Sequence, residues 1–243
     1  MEPDFIIPDW PAPSNVHALV TTRSGGVSLP PYESFNLGNH VGDDADAVAM
    51  NRAQLCKVLP SEPYWLNQVH GREVAEIDTS VFQANADAAI CRTAGKVLVV
   101  MTADCLPVLL CASDGSVLGV AHAGWRGLCA GVIESTLAKM CVEPGMIIAY
   151  LGPAIGPEFF EVGSEVRDAF MQSGERAAQA FVPAESGRWL GNLYELARQR
   201  LALAGVSNVF GGEFCTYREA SRFFSYRRDG QTGRMATLLW KSS

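Results

Sequence analysis

Two apolar runs, each ending in a reactive side chain, constrain this chain most. Residues 97–101 read as a buried strand running into Thr102-Ala103-Asp104-Cys105-Leu106-Pro107. Residues 117–121 read as a second strand running into His122-Ala123-Gly124-Trp125-Arg126-Gly127. Reactive groups just past buried strands, beside glycine-rich turns, are how α/β enzymes present catalytic side chains. His70, in Gln68-Val69-His70-Gly71, again follows an apolar stretch, Tyr64-Trp65-Leu66.

The rest of the pattern agrees with a mixed α/β chain. A first strand is expected over 17–22, ending in the tight turn Ser24-Gly25-Gly26. Asp43-Asp44 can cap a helix that Pro60 stops after about residue 59. Short strands follow at 64–69, 73–77, 86–90, 97–102, 107–111 and 117–122, with Asp114-Gly115 as a hairpin signal between the last two. A helix is expected over 128–141, since Cys129, Val132, Ile133, Leu137 and Met140 fall on one arc. A buried strand over 146–151 then leads into the rigid loop Gly152-Pro153-Ala154-Ile155-Gly156-Pro157. Two or three helices occupy roughly 163–204, and short strands near 208–210, 222–226 and 234–240 finish the chain. Strands of this kind with helices outside them predict one α/β domain over 1–243, its sheet mixed or antiparallel. No linker or repeat divides it.

Composition narrows the function classes. Hydrophobic residues make up 48%, enough for a sizeable core without disulfides. The net charge of −7 disfavours non-specific nucleic-acid binding, though a local basic pocket remains open. No apolar run approaches the roughly 18 residues of a membrane span, and the start of the chain lacks the basic and apolar parts of a signal peptide. A cytoplasmic protein acting on a small molecule is expected, with no nucleic-acid or membrane partner. Its oligomeric state is open, with a monomer expected. The seven cysteines include no C-x-x-C pair, and all but Cys105 are read as buried reduced thiols.

There are four histidines. His17 lies in the first strand and is read as structural. His40, in a turn-rich segment expected to line a surface cleft, is also read as structural. His70, Cys105 and His122 could make a three-ligand metal site with one open position, the usual form of catalytic zinc. The separations of 35 and 17 residues match no short metal motif. Two other readings stand beside it: a Cys105 nucleophile with His122 as base, or a buried thiol near a histidine at a strand end. Asp104 could orient an imidazole or simply form a turn. Arg23, against Gly25-Gly26, and Arg126, at a helix start, suit an oxyanion, or else surface salt bridges. Arg227-Arg228-Asp229 is less specific. Neither a Walker sequence nor Gly-x-Gly-x-x-Gly is present.

Seven segments taken in order carry a resemblance. They are 21–28 (TTRSGGVS), 36–38 (NLG), 68–71 (QVHG), 102–107 (TADCLP), 122–127 (HAGWRG), 151–156 (LGPAIG) and 224–229 (FSYRRD). Together they resemble the YfiH family, also called the laccase-domain or polyphenol oxidase family. The resemblance implies a four-layer α/β/β/α sandwich similar to the catalytic domain of cytotoxic necrotising factor. It implies zinc on His70, Cys105 and His122, with copper at the same site as the variant. Arg23, Asn36, Gln68 and Arg126 fall in these motifs and are the substrate-binding candidates.

Several activities go with the family. One is phosphorolysis of purine nucleosides (adenosine, inosine, guanosine and methylthioadenosine), with adenosine deamination. Another is peptidoglycan editing, the release of L-serine from UDP-MurNAc-L-Ser by amide hydrolysis. The third is polyphenol oxidation. Multicopper oxidases need many imidazole ligands, often as His-x-His pairs, and four histidines with no such pair disfavour the oxidase. Phosphorolysis fits better: Arg23 and Arg126 are candidates for phosphate, and a metal's open position could activate water for deamination. The zinc deaminase signature H-x-E with P-C-x-x-C is absent, so deamination would need another geometry.

Overall fold

The computed structural model describes residues 3–79, 85–172 and 174–243. In chain order the elements begin β1 (Phe5–Ile6), β2 (Val16–Thr21), α1 (Ala45–Cys56), β3 (Pro63–Tyr64), β4 (Val74–Glu76), β5 (Ala88–Cys91) and β6 (Val97–Thr102). They continue with β7 (Leu106–Ala112), β8 (Leu118–Ala123), α2 (Trp125–Ala130), α3 (Val132–Met140), β9 (Ile147–Leu151), β10 (Glu161–Val162) and α4 (Ser164–Met171). The last are β11 (Phe181–Pro183), β12 (Trp189–Gly191), α5 (Leu193–Leu203), β13 (Asn208–Gly211), α6 (Tyr226–Asp229) and β14 (Met235–Lys241).

Two mixed sheets form the centre. One has the order β1-β2-β14-β6-β3, the other β13-β9-β7-β8-β5-β4. Side chains alternate across each strand. Leu98, Val100 and Leu239 of the first sheet therefore meet Leu109, Leu118 and Val120 of the second in a core between the sheets. The opposite set, Val97, Val99 and Leu238, packs outward under Phe35, Leu37 and Leu55 of α1. On the far side Ile90, Val108 and Leu110 pack under α2, α3, α4 and α5. The result is the expected α/β/β/α layering. Burying a leucine such as Leu98 or Leu109 fully contributes about 1.5–3 kcal/mol.

Local signals explain most boundaries. The Asp44 side chain accepts from the Ala47 N–H and starts α1. Strands β7 and β8 form the hairpin that Asp114-Gly115 announced, with Gly115 at φ +70°. The helix expected over 128–141 is two helices, α2 and α3, because Gly131 at φ +93° breaks the ladder between them.

Three expectations need correction. Residues 222–226 are not a strand. The Arg222 and Phe223 N–H groups turn back to the Glu219 carbonyl instead of pairing with a neighbouring strand, and Ser225 caps α6 through the Arg228 N–H. The segment 163–204 holds the expected helices, α4 and α5, but also β11 and β12, which join β10 just before it in a small sheet whose strands are too short to show a period. Of the six cysteines read as buried, Cys91, Cys111 and Cys215 are buried, Cys56 and Cys129 are partly so, and Cys141 is exposed. Cys141 sits in the left-handed region (φ +57°) at the end of α3, which turns it out of the helix's apolar face. Among the described residues no helix is long and apolar enough to cross a membrane.

Candidate metal centre and adjoining cleft

Three antiparallel neighbours, β7, β8 and β5, bring distant residues to one end of the second sheet. Leu106 pairs with Ala123 and Pro107 with His122, so Cys105, one residue before β7, arrives beside the end of β8. Ala88 pairs with Ala121, so Asp87, one residue before β5, lies against His122. The His122 N–H donates to the Asp87 carbonyl at 2.7 Å. His122 shares a strand face with Leu118 and Val120, which belong to the core between the sheets. Its ring therefore points into the gap between them.

Asp87 organises this end. Its carboxylate is fully buried and accepts four hydrogen bonds. Oδ1 accepts from His122 Nδ1 at 2.8 Å and from the His70 N–H at 2.9 Å. Oδ2 accepts from the Gly71 N–H at 2.7 Å and the Val69 N–H at 3.1 Å. One side chain thus sets the tautomer of His122 and folds the loop carrying His70, which sits at φ +60°. The two imidazoles meet edge to face, 4.8 Å apart at 74°. Cys105 Sγ lies 3.9 Å from His70 Nε2, and the donor atoms of His70, Cys105 and His122 all fall within 4.8 Å of one another.

The electrostatics favour a thiolate. Burial pushes the Cys105 thiol up, but the His122 and His70 imidazoles more than offset it and bring it down to about 6. Burial pulls His122 down, and the Cys105 thiolate and Asp87 more than reverse that, raising it to about 9. Burial likewise pushes Asp87 up, while hydrogen bonds from His122 and Gly71 hold it below the ordinary carboxylate value.

This donor set fits a metal ion that takes both nitrogen and sulfur. His122 is pinned at Nδ1, which leaves Nε2 to coordinate. Gly124 is required by the same packing: a Cβ there would meet Cys105 Sγ at 2.8 Å and His70 Cδ2 at 3.2 Å. Asp104 does not orient an imidazole. At φ +86° it forms the turn before Cys105, and its carboxylate accepts from Thr216 Oγ1 and the Arg227 N–H, each at 2.6 Å.

The triad opens into a cleft of about 690 Å³. Trp65 and Tyr226 supply flat aromatic walls, and Asn67 and Gln68 supply amides. Arg52 and Arg234 supply guanidiniums and His40 an imidazole. Among the described residues no Asp or Glu lines it, although the chain carries 26 acidic residues. The Arg52 guanidinium lies 3.8 Å over the Trp65 ring and donates through Nε and Nη2 to the Leu37 carbonyl. Among the described residues neither Arg52 nor Arg234 forms an ion pair.

The candidates named from sequence separate here. Gln68 lines the cleft, with its amide paired to the Met101 N–H and carbonyl. Asn36 is fully buried away from it, a hub bonded to Gly38, Asp43 and the Arg234 N–H. Arg23 clamps the Glu33 and Ala220 carbonyls and lines a different pocket. Arg126 is exposed on α2 over the Trp125 ring and is not part of the cleft wall. His17 stacks on Trp240, as a structural histidine would. His40 lines the cleft instead of holding structure, and burial followed by Arg234 and Arg52 lowers its pKa. Asp87, Arg52 and Arg234 carried no local signal in the sequence.

Comparison with known proteins places the chain in a family. Residues 17–242 match the family described as multi-copper polyphenol oxidoreductase laccase. The purine nucleoside phosphorylase YfiH of Escherichia coli (strain K12) is 53% identical over 239 residues, covering 97% of this chain and 98% of that protein. The purine nucleoside phosphorylase PA4543 of Pseudomonas aeruginosa is 52% identical over 237 residues, covering 97% and 98%. Among solved structures, Neisseria meningitidis protein NMB0706 has a TM-score of 0.95 at 49% identity, over 98% of this chain and 99% of that one. YlmD from Geobacillus stearothermophilus has a TM-score of 0.88 at 31% identity, over 95% and 93%.

Proposed function

Since the chain belongs to the laccase-domain family, matched over residues 17–242, we propose that it is a zinc-dependent purine nucleoside phosphorylase. The observation that carries this reading is the cleft beside the His70–Cys105–His122 cluster, which among the described residues has no acidic lining side chain and holds two guanidiniums outside any ion pair. A net negative protein that keeps carboxylates out of one cleft has prepared it for an anion. The relatives named purine nucleoside phosphorylase, about half identical over nearly the whole chain, support the same choice.

In phosphorolysis a hydrogenphosphate oxygen bonds to C1′ of the ribose as the C1′–N9 bond breaks. The bond's electron pair stays on the purine, which takes the proton that hydrogenphosphate gives up. The Arg52–Trp65 stack and Tyr226 offer flat faces for the purine, and the arginines offset the charge of phosphate. His70, Cys105 and His122 would hold the metal, with Asp87 fixing two of them. A metal with three protein ligands supplies Lewis acidity at its open position.

Adenosine deamination in the same cleft would need a different attack, water adding to C6 of the purine as ammonia leaves, with the metal's open position supplying the activated water. Phenol oxidation would need copper on the same three ligands, since His17 and His40 lie outside the cluster. The test is incubation of inosine with phosphate, with hypoxanthine and ribose 1-phosphate quantified together. Equal amounts of both are expected, along with ammonia release from adenosine. L-Serine release from UDP-MurNAc-L-Ser with no base released from inosine would replace phosphorolysis by amide hydrolysis.

A further inference from the structure

The two arginines of the cleft are held differently. Arg52 has spent Nε and Nη2 on the Leu37 carbonyl and laid its face on Trp65. The charges it feels are those of Glu62 and Cys56. Arg234 uses only Nη1, on the carbonyls of Thr232 and Gly233. Its Nε and Nη2 donate to no described residue, and the charges it feels are those of Cys105 and Asp104. Met235 pairs with Thr102, so Arg234, one residue before β14, lies beside the turn that carries Cys105, at the metal end of the cleft with two donors to spare, while Arg52 lies over Trp65.

Arg234 is also held in place by a built frame. Its backbone N–H donates to Asn36 Oδ1 at 2.9 Å, and its carbonyl accepts from the Leu37 N–H at 3.2 Å. Its stem packs so closely on Gly38 that a Cβ there would meet Cγ at 2.8 Å. Asn36 is itself tied by Nδ2 to Asp43 Oδ2 at 2.8 Å and to the Gly38 carbonyl at 3.1 Å. Asp43 Oδ2 in turn accepts from Ser28 Oγ at 2.6 Å. This fully paired buried network fixes the segment against which Arg234 lies. A partly buried guanidinium with two unused donors, outside any ion pair and lining a cleft with no acidic side chain among the described residues, is suited to an anion.

We infer that Arg234 is the seat of an oxyanion subsite in this cleft, taking a phosphate group through Nε and Nη2, with Asn36 as its positioning residue. The inference rests on the phosphorylase reading for the choice of free phosphate as occupant. A phosphate group within a nucleotide sugar offers the same chemistry. Arg23 and Arg126, arginines beside glycines, lie outside the cleft and take no part.

The test is calorimetric titration of the metal-loaded protein with inorganic phosphate, and separately with UDP-MurNAc-L-Ser. Arg234→Met keeps the stem on Gly38 but removes the donors. It should weaken phosphate binding about 10- to 100-fold, the usual effect of losing hydrogen bonds to a charged partner. Arg234→Lys should recover part of this, because an ammonium lacks the planar fork. Metal content should match wild type in both, and Arg126→Ala should bind phosphate like wild type. Phosphate binding unchanged in a metal-replete Arg234→Met protein overturns the subsite even if wild type phosphorolyses inosine. Loss of nucleotide-sugar binding in Arg234→Met, where free phosphate binds neither protein, upholds the subsite and overturns phosphorolysis instead.

Discussion

Asp87→Asn is the sharpest perturbation of this site, because the change is nearly isosteric while every contact of the residue is known. Both carboxylate oxygens accept two N–H donors: Oδ1 from His122 and His70, Oδ2 from Gly71 and Val69. Whichever way an amide is placed, its NH2 faces two of those donors. A hydrogen bond to a charged partner is worth about 1.5–3 kcal/mol, so losing two predicts a loss of about 3 kcal/mol or more from the metal-free protein. With its Nδ1 contact disrupted, His122 is free to carry its proton on Nε2, the atom needed for coordination. Metal affinity should therefore fall about 10- to 100-fold. Urea unfolding of the metal-free protein, followed by tryptophan fluorescence, reads the first number. Competition against a chromophoric chelator reads the second. The acid limb gives an independent check. Because Asp87 has a depressed pKa in the folded state, its contribution is complete above the unfolded value of about 3.9 and is lost as pH falls through the folded value. The Asn variant should lose that part of the acid dependence. An Asp87→Asn protein with wild-type metal affinity would refute the role given to this carboxylate.

Three further outcomes follow from the same geometry. His70→Ala, Cys105→Ala and His122→Ala should each be purified with little metal, since two ligands hold zinc poorly; full occupancy in Cys105→Ala would favour a free cysteine nucleophile. With Cys105 lowered to about 6 and His122 raised to about 9, the metal-free pair at pH 7.5 is a thiolate and an imidazolium. Metal must displace the His122 proton, so affinity should rise about tenfold per pH unit up to about 9, and calorimetry in buffers of different ionisation enthalpy should find about one proton released. No proton release at pH 7.5 would contradict this pairing. Gly124→Ala should weaken metal binding at least about tenfold while the protein stays folded, because the new Cβ falls 2.8 Å from Cys105 Sγ and the φ of −58° suits alanine. Wild-type metal affinity in that variant would mean that the thiolate has room to move.

How much of this was legible in the sequence depends on the range of each contact. Cys105 and His122 could be read because each ends an apolar run, and the Asp114-Gly115 turn named the hairpin that relates them. The helix starting at Asp44 and the core faces of α3 and α5 were local signals of the same kind. Asp87 was not legible: it lies in an ordinary stretch before a short strand, and only the pairing of β5 with β8 brings it to His122. Arg23 and Arg126 attracted notice through neighbouring glycines, which mark turns and not cavities. Arg234 lies far along the chain from the Asn36-Leu37-Gly38 segment that holds it, a contact no periodicity encodes. The small sheet β10-β12-β11 failed for another reason, since strands of two or three residues are shorter than any pattern that could announce them.

The proposed centre is one metal ion held jointly by His70, Cys105 and His122. X-ray absorption at the metal edge of the protein as purified tests it most directly. One sulfur at about 2.3 Å and two imidazole nitrogens at about 2.0–2.1 Å are predicted for a zinc ion, with the sulfur lost in Cys105→Ser. A first shell without sulfur, or with three or more imidazoles, would contradict the site.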